Sequence, residues 1–201
     1  MLAEVKIMRK IRISFISVIW LAVSIYTSRE LIIPLGLAIA LHEAGHLLFA
    51  TALGVKITRL TLSPLGARME LESDVSYKDE LLIAASGPIA GLLGFALTVR
   101  SFSSEAPLSC FSVISLALAL FNLLPLSTLD GGRVARCLLC LCLPLEIAHR
   151  VARILSFLVI FSFWLFAVYV MIKFSGGLSA FVFCAIFFIK CFIFNKENGD
   201  L

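Results

Sequence analysis

Apolar runs of about 18 residues or more recur along this sequence, and a segment of that length without charge reads as a membrane-spanning helix. The 201 residues are 61% apolar and 15% charged, against about 45–50% and about 25% in soluble domains. A soluble globular chain is thereby excluded. At about 20 residues per span there is room for roughly six helices, which leaves no length for a substantial soluble module. The expected fold class is an all-α polytopic membrane protein, with residues 1–201 forming one domain.

Lys6, Arg9, Lys10 and Arg12 precede an apolar run over residues 13–26, which superficially resembles a signal peptide and is read as the first span. Pro34 opens a second run that ends near Leu53. Asp79 and Glu80 precede a third, ending at Arg100, and Pro107 precedes a fourth, broken near Asn122 to Pro125. Beyond Asp130-Gly131-Gly132 come a short apolar stretch to Pro144 and two spans near 153–171 and 178–194. With the N-terminus in the cytoplasm, only Arg29, Arg100 and Lys173 of the 17 Lys and Arg fall outside. This obeys the positive-inside rule and predicts a multi-pass protein of the cell membrane with both termini cytoplasmic. The basic residues neither gather in one tail nor interleave with exposed aromatics, so the net charge of +4 signals topology and not a nucleic-acid partner.

Residues 55–73 differ in character. Val55, Ile57 and Thr61 are β-formers, and Ala67, Met69 and Leu71 alternate with Arg68, Glu70 and Glu72. Ser63-Pro64-Leu65-Gly66 supplies a turn. A small membrane-associated β-hairpin is expected here, with a plain cytoplasmic loop as the alternative. The six Cys lie in or beside apolar segments, which argues against a disulfide framework. Cys137-x-x-Cys140-x-Cys142 lacks the second pair of a metal site and is read as small buried residues.

The chemistry lies in His42-Glu43-Ala44-Gly45-His46. Measured from Leu31, at a rise of about 1.5 Å per residue, it sits roughly 16 to 22 Å down the second span. Two His at i and i+4 share a helix face and can chelate one metal ion, while the intervening Glu points about 100° away, toward a metal-bound water. Zinc lowers the pKa of such a water to about 7, and Glu43 can accept its proton and pass it to a leaving amine. Each ionisable group at membrane depth costs about 2–3 kcal/mol or more on insertion scales, so a mere packing role for three of them is poorly supported.

A catalytic zinc usually has three protein ligands. The only other histidine, His149, adjoins Arg150 in a basic cytoplasmic stretch and is a poor candidate. Asp130 follows a broken span and precedes two glycines that allow close backbone approach. It is the expected third ligand, the alternative being a turn or helix-cap residue. Pro125 frees a carbonyl four residues back, so the helix should open near Asn122. Asn122 and Pro125 are therefore candidates for substrate binding, through an amide that meets a substrate backbone or a developing oxyanion. Interhelical adhesion by Asn122 is the alternative. Gly87 and Gly91, around Pro88, form a small-x-x-x-small pair that reads as a close packing face for the third span, without catalysis.

Together these residues resemble the site-2 protease family of intramembrane zinc metalloproteases. Three blocks carry the resemblance: His42 to His46, Gly87-Pro88, and Asn122-Leu123-Leu124-Pro125-Leu126-Ser127-Thr128-Leu129-Asp130-Gly131-Gly132. They set a catalytic core at about residues 31–143. The resemblance implies one Zn2+ per chain on His42, His46 and Asp130, Glu43 as general base, and cleavage of a peptide bond within or next to a substrate's transmembrane segment. The implied partners are a membrane-associated protein substrate, the lipid bilayer and a regulatory membrane protein. A β edge at 55–72 could hold unwound substrate as an added strand. Gly91 stands where many members have Asn, and Thr128 where Pro is common. The layout is nearest the sporulation subgroup that processes a pro-sigma factor, without its CBS domain and without the PDZ domain of another subgroup.

Two other functions compete. A non-proteolytic membrane metal-binding protein or carrier would use the same ligands but has no need of Glu43. A prenyl-protein protease would take its third ligand from a Glu on another helix.

Overall fold

The computed structural model describes residues 11–13, 29–63, 66–71, 75–99 and 106–174. The elements run β1 (Ile11–Ile13), α1 (Arg29–Ala52), β2 (Ile57–Ser63), β3 (Gly66–Leu71), α2 (Tyr77–Thr98), α3 (Ala106–Asn122), α4 (Asp130–Cys142) and α5 (Leu145–Phe174). They divide into two compact units, one ending at Asn122 and the other beginning at Leu123. Among the described residues three helical stretches are long and apolar enough to cross a membrane: Glu30–Ala52, Tyr77–Thr98 and Leu145–Phe166. A shorter apolar helix covers Leu108–Asn122. The expected spans at 13–26 and 178–194 lie outside the described residues, apart from Ile13.

In the first unit, α1 already runs from Arg29, so Pro34 lies inside the helix and does not open it. Near the N-terminus its missing N–H forfeits a single bond, to the Glu30 carbonyl. At the other end Gly54 takes φ +69, a left-handed conformation open to glycine at low cost. The Gly54 N–H donates to the Thr51 carbonyl at 3.1 Å and the Val55 N–H to the Ala50 carbonyl at 2.9 Å. This Schellman closure ends the helix and sends the chain into β2.

The sheet has the order β1-β2-β3. β2 and β3 pair antiparallel from Ile57↔Leu71 to Ser63↔Gly66, with an irregularity between Ile57 and Arg59. β1 pairs parallel to β2, Ile11 opposite Leu60 and Ile13 opposite Leu62. Ile13 thus closes a strand where the sequence suggests the start of a span. Ile-Arg-Ile alternates in the β manner, but three residues are too few to be read against the apolar run that follows.

α2 begins before Asp79 and Glu80 and so contains them. The Ser76 hydroxyl accepts the Asp79 N–H at 3.1 Å and donates to Asp79 Oδ2 at 2.7 Å, which caps the helix. The acids in its first turn complement the helix dipole. Helices in lipid gain little from burying apolar surface and associate through close packing of small residues instead. That is how α1, α2 and α3 meet. A Cβ on Gly45 would lie 2.6 Å from the Ser86 carbonyl oxygen, and one on Gly94 would lie 2.6 Å from Leu41 Cδ2. A Cβ on Gly91 would come 3.2 Å from Ala119 Cβ and 3.3 Å from the Ser115 carbonyl oxygen. Thr98 and Ser112 share a hydrogen bond between α2 and α3. Leu48, Leu93 and Leu97 point outward and suit a hydrocarbon surround.

In the second unit α5 begins at Leu145, earlier than the expected span near 153. Glu146, His149, Arg150 and Arg153 recur at helical spacing, so the polar stretch continues the apolar helix. The loop 123–129 lies tightly against the first turn of α4. A Cβ on Gly131 would overlap the Leu123 and Leu124 carbonyls, and one on Gly132 the Leu126 carbonyl.

Candidate metal centre

His42 and His46 occupy successive turns of α1 and are 3% and 4% exposed. Their rings meet edge to face, with centroids 4.9 Å apart and planes at 80°, and their Nε2 atoms approach to 3.3 Å. His46 Nδ1 lies 2.7 Å from the Ile83 carbonyl on α2. A carbonyl can only accept, so Nδ1 carries the proton, and the neutral ring keeps its lone pair on Nε2. Two nitrogens bound to a tetrahedral zinc at about 2.0–2.1 Å stand roughly 3.3–3.4 Å apart. The two Nε2 atoms already have that separation, so the spacing of the donors fits the ion.

The slot for the His46 ring is made by Gly87, since a Cβ there would fall among the ring atoms Nε2, Cε1 and Cδ2. The Ile83 carbonyl also accepts the Ser86 hydroxyl at 2.6 Å. Gly87 and Ile83 therefore act directly on a candidate ligand, one by leaving space and the other by setting its tautomer. The sequence by itself suggests only a packing face. Its small residues are visible, but which side chain enters the space they leave depends on how α1 and α2 pair. Glu43 is half-buried on α1, between the two histidines in sequence.

Asn122 is the last residue of α3 and 9% exposed. Its Nδ2 donates to the Leu118 carbonyl one turn back at 2.9 Å. The helix ends there, and Pro125 follows in the loop of the second unit. The Pro125 carbonyl accepts the Ser156 hydroxyl of α5 at 3.0 Å. Asp130 is the first residue of α4, where the N-terminal dipole favours an ionised carboxylate. Its Oδ1 lies 4.0 Å from Arg133 Nη1, one turn on. Leu129 has extended backbone, φ -111 and ψ 166, at the cap position. Its carbonyl accepts the N–H groups of Gly132 and Arg133 at 3.1 and 3.3 Å.

A pair of buried imidazoles with converging Nε2 atoms on an apolar helix, with a glutamate between them in sequence, is the signature of a membrane-embedded zinc metalloprotease class. The model of peptidase family M50 matches residues 30–105 and 97–166. The chain belongs to this family, which comprises the site-2 proteases and uses zinc. A zinc metalloprotease of Methanocaldococcus jannaschii is 33% identical over 116 residues, 54% of this chain and 34% of that protein. Stage IV sporulation protein FB of Bacillus subtilis is 32% identical over 120 residues, 57% of this chain and 42% of that one. The matched segment thus spans well under half of these relatives' length. The solved site-2 protease from Methanocaldococcus jannaschii superposes with a TM-score of 0.63 at 26% identity, covering 87% of this chain and 88% of its own.

Proposed function

We propose that this chain is an intramembrane zinc endopeptidase that hydrolyses a peptide bond within or next to a transmembrane segment of a membrane-associated protein. The observation that carries this reading is the buried pair of Nε2 atoms 3.3 Å apart on an apolar helix of an M50 chain. His42, His46 and Asp130 would hold the zinc, two imidazole nitrogens and one carboxylate oxygen being a donor set that suits a catalytic site. When bound, the metal supplies a Lewis acid and acidifies water. Glu43 takes the proton of the attacking water and delivers it to the leaving amine. The Ile83 carbonyl holds His46 in the tautomer that leaves Nε2 available.

Asn122 and Pro125 bind substrate in this reading. One amide N–H of Asn122 is engaged by Leu118, so its second N–H and its amide oxygen are the groups offered to a substrate backbone or a developing oxyanion. The strand edge of the 57–71 region takes up unwound chain by strand addition. Six spans with both termini cytoplasmic, and a sheet that rests on the membrane, complete the proposal. A transmembrane substrate in detergent or vesicles tests it. Wild type cleaves, chelation abolishes cleavage, added zinc restores it, and Glu43→Ala removes about 10²-fold or more of the rate. Cleavage untouched by Glu43→Ala would overturn the role of Glu43 as the base, and zinc bound without cleavage by wild type would overturn the protease reading and favour a metal-binding or carrier protein.

A further inference from the structure

The two serines on the apolar part of α5 behave differently. Ser162 is exposed and donates to the Leu158 carbonyl of its own helix at 2.8 Å, the ordinary resting place of a helical hydroxyl. Ser156 is 5% exposed and leaves its helix to donate to the Pro125 carbonyl at 3.0 Å. Pro125 stands in the loop between Asn122 and Asp130. The loop closes on itself through the Leu126 N–H to the Leu124 carbonyl at 2.7 Å and the Leu129 N–H to the Leu126 carbonyl at 2.9 Å. Its carbonyls rest on the bare backbone of Gly131 and Gly132. The loop is thus gripped by α4 through two glycines and by α5 through one hydroxyl, and the residue that leaves it is Asp130.

We propose that Ser156 is a positioning residue for the metal centre: through the Pro125 carbonyl it fixes the loop from which Asp130 is presented. The inference rests on the reading of Asp130 as a zinc ligand and adds the group that holds it in place. A loop carbonyl shielded from water needs a donor, and a proline-containing loop has fewer N–H groups to provide one. Loss of the hydroxyl frees the loop at its middle, and the slack passes to the carboxylate. A partner bonded directly to a ligand changes metal affinity by about 10–100-fold when removed, and Ser156, which acts one step further out through the loop, is expected at the lower end of that range.

The test uses the full chain in detergent, with zinc affinity measured by chelator competition and the visible spectrum recorded after loading with Co2+. Ser156→Ala is expected to bind zinc about 10-fold more weakly and to shift the Co2+ bands, while Ser156→Thr and Ser162→Ala match wild type. Wild-type affinity and spectrum in Ser156→Ala would overturn the proposal, as would a Thr variant as weak as the Ala one. Should Ser156→Ala fail to fold, Ser156→Thr and Ser156→Val have similar volume and differ in the hydroxyl. Weaker binding by Val supports the proposal, and equal binding overturns it. Asp130→Ala separates the two levels. If it keeps full affinity, the ligand reading itself fails; if it loses affinity while Ser156→Ala does not, only the role of Ser156 falls.

Discussion

The histidine pair and Asp130 are held by different means. His42 and His46 need only the pitch of α1 to share a face, and a single neighbouring helix sets the rest: Gly87 makes room for the ring and the Ile83 carbonyl orients it. Asp130 follows a loop with no regular periodicity, and its position depends on backbone packed against backbone at Gly131 and Gly132. The first arrangement can yield, because an imidazole rotates. The second has no room for an added methyl, because the loop carbonyls already lie against the glycine backbone.

Alanine at each glycine turns that difference into numbers. Gly132→Ala drives a methyl into the Leu126 carbonyl, and the expected loss is about 3 kcal/mol or more of stability, seen as a fall in melting temperature in detergent. Gly87→Ala places its methyl on the His46 ring. Here the fold should persist, since Ala is the better helix former, while zinc affinity drops by about 10–100-fold. Equal melting losses in both variants would break the contrast between a yielding side chain and an unyielding loop. A helix cap differs in character from either site: Ser76→Ala should cost about 1 kcal/mol and leave zinc affinity unchanged. Gly36, where a Cβ would meet nothing within 4 Å, is the smallest case. Gly36→Ala should be neutral or stabilising by up to about 1 kcal/mol, and a loss of zinc in that variant would show that α1 itself is not a rigid frame for the histidines.

Local periodicity alone makes the histidine pair legible: i and i+4 spacing in an apolar run allows few other arrangements. The β character of Ile57–Ser63 and Gly66–Leu71 is legible for the same reason, through alternation. β1 is not, because its partner β2 lies far along the chain. The break after Asn122 follows from Pro125, but its lock does not. Ser156 stands in an apolar helix next to residues of the same character, and nothing in the order of amino acids distinguishes it from Ser162. Gly87 is recognisably small, yet the ring that fills its slot emerges only from the pairing of α1 with α2. Elements defined by repeat are readable one segment at a time, whereas a close approach is readable only when both sides are present.

Everything proposed for the chemistry depends on one zinc held by His42, His46 and Asp130, with Glu43 left to handle the proton. Zinc content of the purified chain tests this most directly, for wild type beside Glu43→Ala and Asp130→Ala. About one zinc per chain is expected in wild type and in Glu43→Ala, and less in Asp130→Ala. Equal zinc in all three would contradict this assignment and return Asp130 to the role of a turn residue.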